Sequence, residues 1–169
     1  MNPLKLTLFL ALLTLHCSAQ LPNTPKPIKG TFYVSVDDAC TIFVNGQNVF
    51  QAGFGQSRSP ELELKVGDRV VLQLRNDSNG RHFIFLFASS DGQAVISFKH
   101  RDFKIVPDIG VTDFTPEQFQ KWTKFAKEEK QKNAAKLPVK SASEFIWGDL
   151  DKTIIAGSIT PQMVALKSK

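Results

Sequence analysis

Two adjacent carboxylates, Asp37 and Asp38, are the most suggestive chemical feature of this 169-residue sequence. They follow the alternating apolar and polar run 31–36, so we expect them where a strand ends. Carboxylates in a loop can ligate a hard cation such as calcium, which can in turn hold sugar hydroxyls. Asn76 and Asp77 offer further oxygen ligands in a later turn. The four side chains are therefore candidate ligand-binding residues, with Asp37 and Asp38 as candidate calcium ligands.

A purely structural role competes with that interpretation. Aspartate and asparagine are common in turns, because their side chains bond to nearby backbone. The sequence also lacks the regularly spaced acidic loop of a dedicated calcium site. Asn76-Asp77-Ser78 is in addition a glycosylation sequon, which has meaning only in a eukaryotic host.

The remaining titratable residues do not form a recognisable catalytic motif. His82 and His100 are isolated in the sequence, without the spacing of a zinc site. Neither a nucleophile elbow nor a phosphate-binding glycine loop occurs. The net charge of +5 is spread along the chain without a basic cluster interleaved with aromatics. We therefore expect no enzyme and no nucleic-acid partner.

Aromatic side chains are a second kind of sugar site, because sugar rings stack on exposed Trp, Tyr or Phe. Trp122 and Trp147 are candidates on the condition that they are exposed. With fourteen Phe in the chain, packing in a core is the default expectation for aromatics at alternating or helical spacing.

The N-terminus has the order of a secretory signal peptide. One lysine precedes an apolar run of about ten residues and a cluster of small residues, whereas a membrane-spanning helix needs about twenty. We expect a signal peptide at 1–19, a proline-rich lead-in at 20–30 and a domain at 31–169 without a membrane span. The predicted localisation is secreted: extracellular, or periplasmic in a bacterium.

Period-two alternation predicts a mainly β fold, an antiparallel β-sandwich of jelly-roll type with one amphipathic helix and a C-terminal extension. Asn45-Gly46 predicts a tight hairpin, and 53–60, rich in Gly and Ser, predicts a loop. Cys40, the one cysteine left after cleavage, is expected to be a buried apolar residue. Thr115-Pro116 predicts the start of a helical insertion over about 115–135, packed on its own domain.

The strands resemble a known architecture over about residues 31–98. An acidic strand end at Asp37-Asp38, a strand running into Asn45-Gly46, and a Gly-Asp turn before a strand ending in Asn76 are similar to galactose-binding-like and PA14-like β-sandwich domains. Some PA14-like adhesins bind calcium and a sugar through adjacent aspartates, and the resemblance implies that role for Asp37 and Asp38. The helix and the segment around Trp147 have no counterpart there.

Export, sandwich patterning and missing catalytic motifs predict a secreted, non-catalytic binding module for carbohydrate or another extracellular polymer, assisted by calcium if the aspartates bind it. The alternative is a structural or protein-interaction component of an envelope, matrix or secreted assembly. In that case an extracellular protein partner would dock on the lysine-rich helix or a sheet edge.

Overall fold

The computed structural model describes residues 26–77, 81–129, 137 and 141–166, and the fold is mainly antiparallel β. The predicted signal peptide and most of the proline-rich lead-in lie outside the described residues. Within them, no helix is long and apolar enough to cross a bilayer. The strands are β1 Ile28–Val44, β2 Gln47–Arg58, β3 Leu62–Leu64, β4 Arg69–Arg75, β5 Phe83–Ser89, β6 Ala94–Ser97, β7 Lys104–Val106, β8 Lys127–Glu128, β9 Ile146–Trp147, β10 Lys152–Ser158 and β11 Val164–Leu166.

One long strand, β1, organises the sheet. Its first half pairs with β5 over 30–36, and its second half pairs with β4 over 39–44. The strand order is β11-β6-β5-β1-β4-β10-β7, with β2 and β3 on the other side of β1. Because β1 changes partner half-way, the antiparallel sheet curls into two layers with a core between them, which confirms the predicted sandwich-like, mainly β fold.

Asp37 and Asp38 form the corner at which β1 changes partner. The sequence predicted a strand end here, but β1 continues through both residues as a bulge: the register moves from Val36–Gly55 to Ala39–Gly53. Two residues of β1 therefore face Phe54 alone on β2. A bulge bends its strand and increases the local twist, which allows one strand to serve both layers.

The core between the layers is built largely of phenylalanine. Six fully buried rings from β1, β5 and the region after β6 form one network of contacts, and the Phe85 and Phe98 rings stack with centroids 4.1 Å apart. Burying each such side chain stabilises the fold by about 1.5–3 kcal/mol. The six rings are Phe32, Phe83, Phe85, Phe87, Phe98 and Phe103. Cys40 is buried in the same core, as predicted.

The hairpin between β1 and β2 is confirmed. Asn45 and Gly46 have φ values of 49° and 82°, the left-handed pair that a two-residue hairpin loop requires. The Asn45 side chain also accepts a bond from Arg69 N and donates to Asp68, which ties the hairpin to the start of β4. The predicted loop at 53–60 is wrong, because β2 continues to Arg58.

The predicted helix is present but short. The helix α1 (Pro116–Lys121) begins with the expected capping box: Gln118 N donates to Thr115 Oγ1, and Thr115 N donates to Gln118 Oε1. It ends at Lys121, however, and Lys127–Glu128 then forms β8 against Ile146–Trp147. The expectation of helix beyond Lys121 is therefore wrong as far as residue 129, and residues 130–136 lie outside the described residues.

A second apolar cluster lies on the outer face of β4 and β10. There residues 107–122, called the cover segment below, place Phe114, Phe119 and Trp122 over Val71 and Ala156. The three rings contact one another at centroid distances of 5.3–6.1 Å. Phe119 and Trp122 of the predicted helical insertion thus pack on their own domain, as expected, whereas Phe125 of the same insertion is 54% exposed.

Candidate functional site

A groove of about 1010 Å³ lies on the outer face of the sheet and is called the outer groove below. It is lined by residues from five stretches of chain: 39–41, 73–75, 105–110, 121–124 and 149–154. Ligand sites in proteins are clefts of roughly 300–1,000 Å³ that combine apolar walls with a few polar groups. The outer groove has this size and this mixture of groups.

Strand register fixes the chemistry of the groove floor. One row across β1, β4 and β10 consists of Ala39, Arg75 and Lys152. The next row contains Thr41, Gln73 and Ile154, followed by Val106 of β7. A third row, which includes Val71 and Ala156, lies under the cover segment. The floor therefore changes from cationic through polar to apolar as it approaches the cover segment.

Two mostly exposed aliphatic side chains contribute to the lining. Ile109, in the cover segment, is 95% exposed, and Leu150, just before β10, is 68% exposed. Large apolar side chains in water are informative when they cluster at a concave site with polar groups. Here they supply apolar surface that a ligand would cover.

Four cationic side chains line the outer groove, against two carboxylates. The cations are Arg75, Lys121, Lys124 and Lys152, and the carboxylates are Asp108 and Asp149. Asp149 is bound by Lys127 at 2.6 Å and by Lys124 at 3.6 Å. The hydrogen bond from Lys127 holds the pKa of the Asp149 carboxyl below its usual range. Lys121 and Lys152 have no ion pair with any described residue.

The cover segment is anchored beside the groove. Arg69 of β4 donates to Asp113 through Nε at 2.7 Å and through Nη2 at 2.8 Å, a bidentate pair. The guanidinium lowers the pKa of the Asp113 carboxyl. Lys104 Nζ lies 4.5 Å from the Phe119 ring centroid and donates to the Phe119 carbonyl. Gln73 donates to the Val111 carbonyl from the floor.

Asp38 and Asp77, two of the predicted site residues, lie next to each other at the corner. Asp77 N donates to Asp38 Oδ2 at 2.6 Å, and Asp37 N donates to the His82 carbonyl at 2.7 Å. These bonds join the corner of β1 to both ends of the β4–β5 connection. They give the corner a structural role, while calcium and sugar binding by Asp37 and Asp38 remain predictions. No group of three or more His, Cys, Asp or Glu able to hold a metal occurs among the described residues.

Asn76 is buried beside the corner, with 5% exposure. Its backbone N donates to the Asp151 carbonyl at 2.8 Å, and its side-chain Nδ2 lies 3.5 Å from Asp151 Oδ1. A glycan on Asn76, or a ligand bound by its amide, would require this buried side chain to move outward. Its immediate neighbour Arg75 is exposed in the outer groove.

Trp147 does not meet the condition for stacking on a sugar. Its side chain is 0% exposed in the core, and Nε1 donates to the Leu150 carbonyl at 2.9 Å. A ring enclosed on all sides cannot present a face to a ligand, so the expectation of Trp147 as a binding residue is wrong. The exposed aromatic near the predicted site is Phe54, 81% exposed, which faces the Asp37-Asp38 bulge.

Ser35 and His82 form a pair that resembles part of a hydrolase site. Ser35 Oγ lies 2.8 Å from His82 Nε2, and the Asp37 charge acts on the same imidazole. The hydroxyl is nevertheless 2% exposed, and the Phe145 ring packs edge-on against the imidazole at 4.8 Å. A nucleophile must reach its substrate, and burial denies Ser35 that access.

No family model, no curated protein and no solved structure matches this chain. The resemblance to galactose-binding-like and PA14-like domains therefore stays a prediction from the sequence.

Proposed function

We propose that the protein is a secreted, non-catalytic binding module for carbohydrate or another extracellular polymer, and that the outer groove is its ligand site. The observation that supports this is the groove itself, whose floor presents guanidinium, ammonium, amide and hydroxyl groups beside apolar walls. An open groove suits a polymer, because the chain can enter and leave at the ends while a few units fill the site. Export remains part of the proposal, based on the order of residues 1–19.

The polar groups of the floor support the carbohydrate version. Gln73 and Thr41 are register partners at the middle of the groove, and Arg75 and Lys152 are register partners in the next row. Amides and hydroxyls both donate and accept hydrogen bonds, as sugar hydroxyls do. Ile154, Ile109 and Leu150 can cover the apolar faces of sugar rings.

The corner is the competing position for a sugar site on the same protein. The exposed ring of Phe54 lies opposite Asp37 and Asp38, so a sugar stacked on it would lie close to two carboxylates. A site at the corner would keep Asp37 and Asp38 as the binding residues predicted from the sequence. Of the two positions, it is the one at which calcium would assist binding. Substitutions at the groove and at the corner distinguish the two.

A glycan array probed with calcium and with chelator is the direct test. The outer-groove site predicts binding in both conditions and loss of binding in Thr41→Trp, which fills the floor. Glu63→Trp adds the same ring to an exposed position of β3, outside the groove, and should bind normally. Loss of binding in Asp37→Ala, Asp38→Ala and Phe54→Ala, with Thr41→Trp unaffected, would move the site to the corner. Absence of binding to any glycan in either condition would count against the carbohydrate version.

The interaction-component alternative has its own test. A stoichiometric protein partner, recovered with the wild-type chain and lost on substituting Lys121 and Lys124 in and beside α1, would favour it if no glycan binds.

A further inference from the structure

Arg75 and Lys152 are directly opposite each other on β4 and β10. Side chains in such a pair lie about 5 Å apart at Cβ, and like charges in this position destabilise a sheet. The Arg75 Nε forms an ion pair with Asp77 Oδ2 at 2.8 Å, and the Arg75 side chain is still 55% exposed, so it can contact a ligand as well. Lys152 has no carboxylate partner among the described residues. An anion lying between the two would remove their repulsion.

The rest of the groove supplies no carboxylate partner to Lys152. Lys121 adds a second ammonium that has no ion pair among the described residues. Of the two carboxylates present, Asp149 is already bound by Lys127 and Lys124, so it is not available to Arg75 or Lys152. Asp108 is the one groove carboxylate without a cation among the described residues. The cations without an ion pair are therefore Lys152 and Lys121, and Lys152 lies opposite the half-exposed Arg75.

A peptide ligand fits this floor poorly. Extended peptides bind sheets by adding a strand to a free edge, which gives them main-chain hydrogen bonds. Most of the floor has no free edge: β4 pairs with both β1 and β10, and β10 pairs with β7 over Ile154–Ala156. An acyl chain is also disfavoured, because the apolar walls at Ile109 and Leu150 are mostly exposed and would leave its methylenes partly in water.

We propose that the ligand of the outer groove is an acidic polysaccharide, whose carboxylate or sulfate groups are bound between Arg75 and Lys152 while its hydroxyls bond to Gln73 and Thr41. This inference rests on the proposed function, since it assigns the ligand class of the same site. Guanidinium and ammonium groups form charge-assisted hydrogen bonds with both anions, about twice as strong as neutral ones. Neutral sugars have no anionic acceptor and cannot form these ion pairs.

The probe is a fluorescent oligogalacturonide, with its methyl ester as the uncharged counterpart of the same backbone and a sulfated oligosaccharide to separate the two anions. The full mature chain should bind the uronate or the sulfate at least tenfold more tightly than the ester, and the affinity should fall as salt rises. Arg75→Ala and Lys152→Ala should each weaken binding about tenfold, equivalent to the loss of about 1.4 kcal/mol. Arg58→Ala and Lys65→Ala remove exposed cations outside the groove and should leave binding unchanged.

Each contrary outcome has a distinct meaning. Equal affinity for the acid and its ester would overturn the acidic class, while leaving a carbohydrate-binding module in place. Anionic binding that is unaffected by Arg75→Ala and Lys152→Ala would overturn the assignment to this row. Binding of poly-glutamate but of no saccharide would overturn both the acidic polysaccharide and the carbohydrate version of the proposed function.

Discussion

The Asp38 carboxylate accepts a hydrogen bond from the backbone N of Asp77 at 2.6 Å, across 39 residues of sequence. Asp38 also has a φ of 63°, a left-handed conformation that Asp and Asn tolerate better than other residues with a side chain. One residue thus permits the bend of β1 and fastens the connection after β4 to it.

Asp38→Ala should therefore destabilise the protein by about 1–2 kcal/mol, since it loses a charge-assisted hydrogen bond and strains the left-handed backbone. Asp38→Asn should cost less than half as much, because its Oδ1 can still accept the bond and asparagine tolerates positive φ. Urea unfolding at pH 7 measures both. If calcium stabilises the wild-type chain but not Asp38→Ala, the carboxylate binds metal and its role at the corner is not structural alone.

Some features of the fold could be predicted from the sequence and others could not. Short-range chemistry was sufficient for the Asn45-Gly46 hairpin, the capping box at Thr115 and the burial of Cys40. A continuous strand through Asp37 and Asp38 could not be predicted, because a bulge looks like a strand end when partners are unknown. The partner strand β2 could not be predicted either, since Gly53 and Gly55 are typical of a loop.

The end of α1 and the outer groove depend on contacts distant in sequence. Helical spacing continues past Lys121, but Ala126 is buried in the core and the next two residues pair with β9, which excludes further helix. The outer groove is formed by five stretches of chain that strand pairing brings together, and the sequence alone does not give that pairing. Alternation in β4 did indicate that Gln73 and Arg75 share a face, but not that Lys152 lies opposite Arg75.

Cys40 gives a test of the core at high pH. Burial raises the pKa of its thiol to about 12, from an ordinary value of 9.0. A raised pKa means that the folded state keeps the proton, so this contribution to stability is complete below pH 9 and is lost between pH 9 and 12. Over that range wild type should lose up to about 1.4 kcal/mol per pH unit relative to Cys40→Ala.

Denaturant unfolding of both proteins at pH 8, 9 and 10 measures the difference between their unfolding free energies. These pH values lie below, at and above the ordinary thiol pKa of 9.0. Rapid reaction of the native thiol with a disulfide reagent at pH 8 would contradict the enclosed position of Cys40. Reaction only after unfolding is the expected result.

Protonation of His82 should destabilise the folded protein at acidic pH. Burial lowers the pKa of its imidazole below 6.5, although the Asp37 charge opposes the shift. A lowered pKa means that the fold favours the neutral ring, so the contribution is complete above pH 6.5 and is lost as the pH falls from 6.5 through the lower pKa of the folded state. Wild type should therefore lose more stability than His82→Gln on acidification, with a slope of at most about 1.4 kcal/mol per pH unit.

An NMR titration of the His82 ring checks the direction independently of unfolding. A midpoint at or above 6.5 would contradict it. The same variant addresses the Ser35–His82 pair: both His82→Gln and Ser35→Ala should change stability without affecting ligand binding, because neither residue lines the outer groove.

The bidentate ion pair between Arg69 and Asp113 lies outside the lining of the outer groove but holds the cover segment beside it. We therefore expect the shape of the groove to depend on this pair. Asp113→Asn keeps the size of the side chain but removes the charge that Arg69 binds, so the cover segment should open more often. Ile109 and Gly110, which line the groove, belong to that segment and should become less ordered. Hydrogen exchange should accelerate over 107–122 while β4 and β5 keep their protection, since the core is untouched.

Binding of the acidic oligosaccharide to Asp113→Asn should weaken, although Arg75 and Lys152 are intact, because one wall of the site is displaced more of the time. Asp108→Asn is the matched control: it removes a carboxylate from the same segment without breaking an ion pair among the described residues, and it should bind the anion at least as well as wild type. Faster hydrogen exchange throughout the sheet in Asp113→Asn would show that the Arg69–Asp113 pair supports the whole fold. Unchanged exchange over 107–122 would show that the aromatic cluster of the cover segment is sufficient to hold that segment in place.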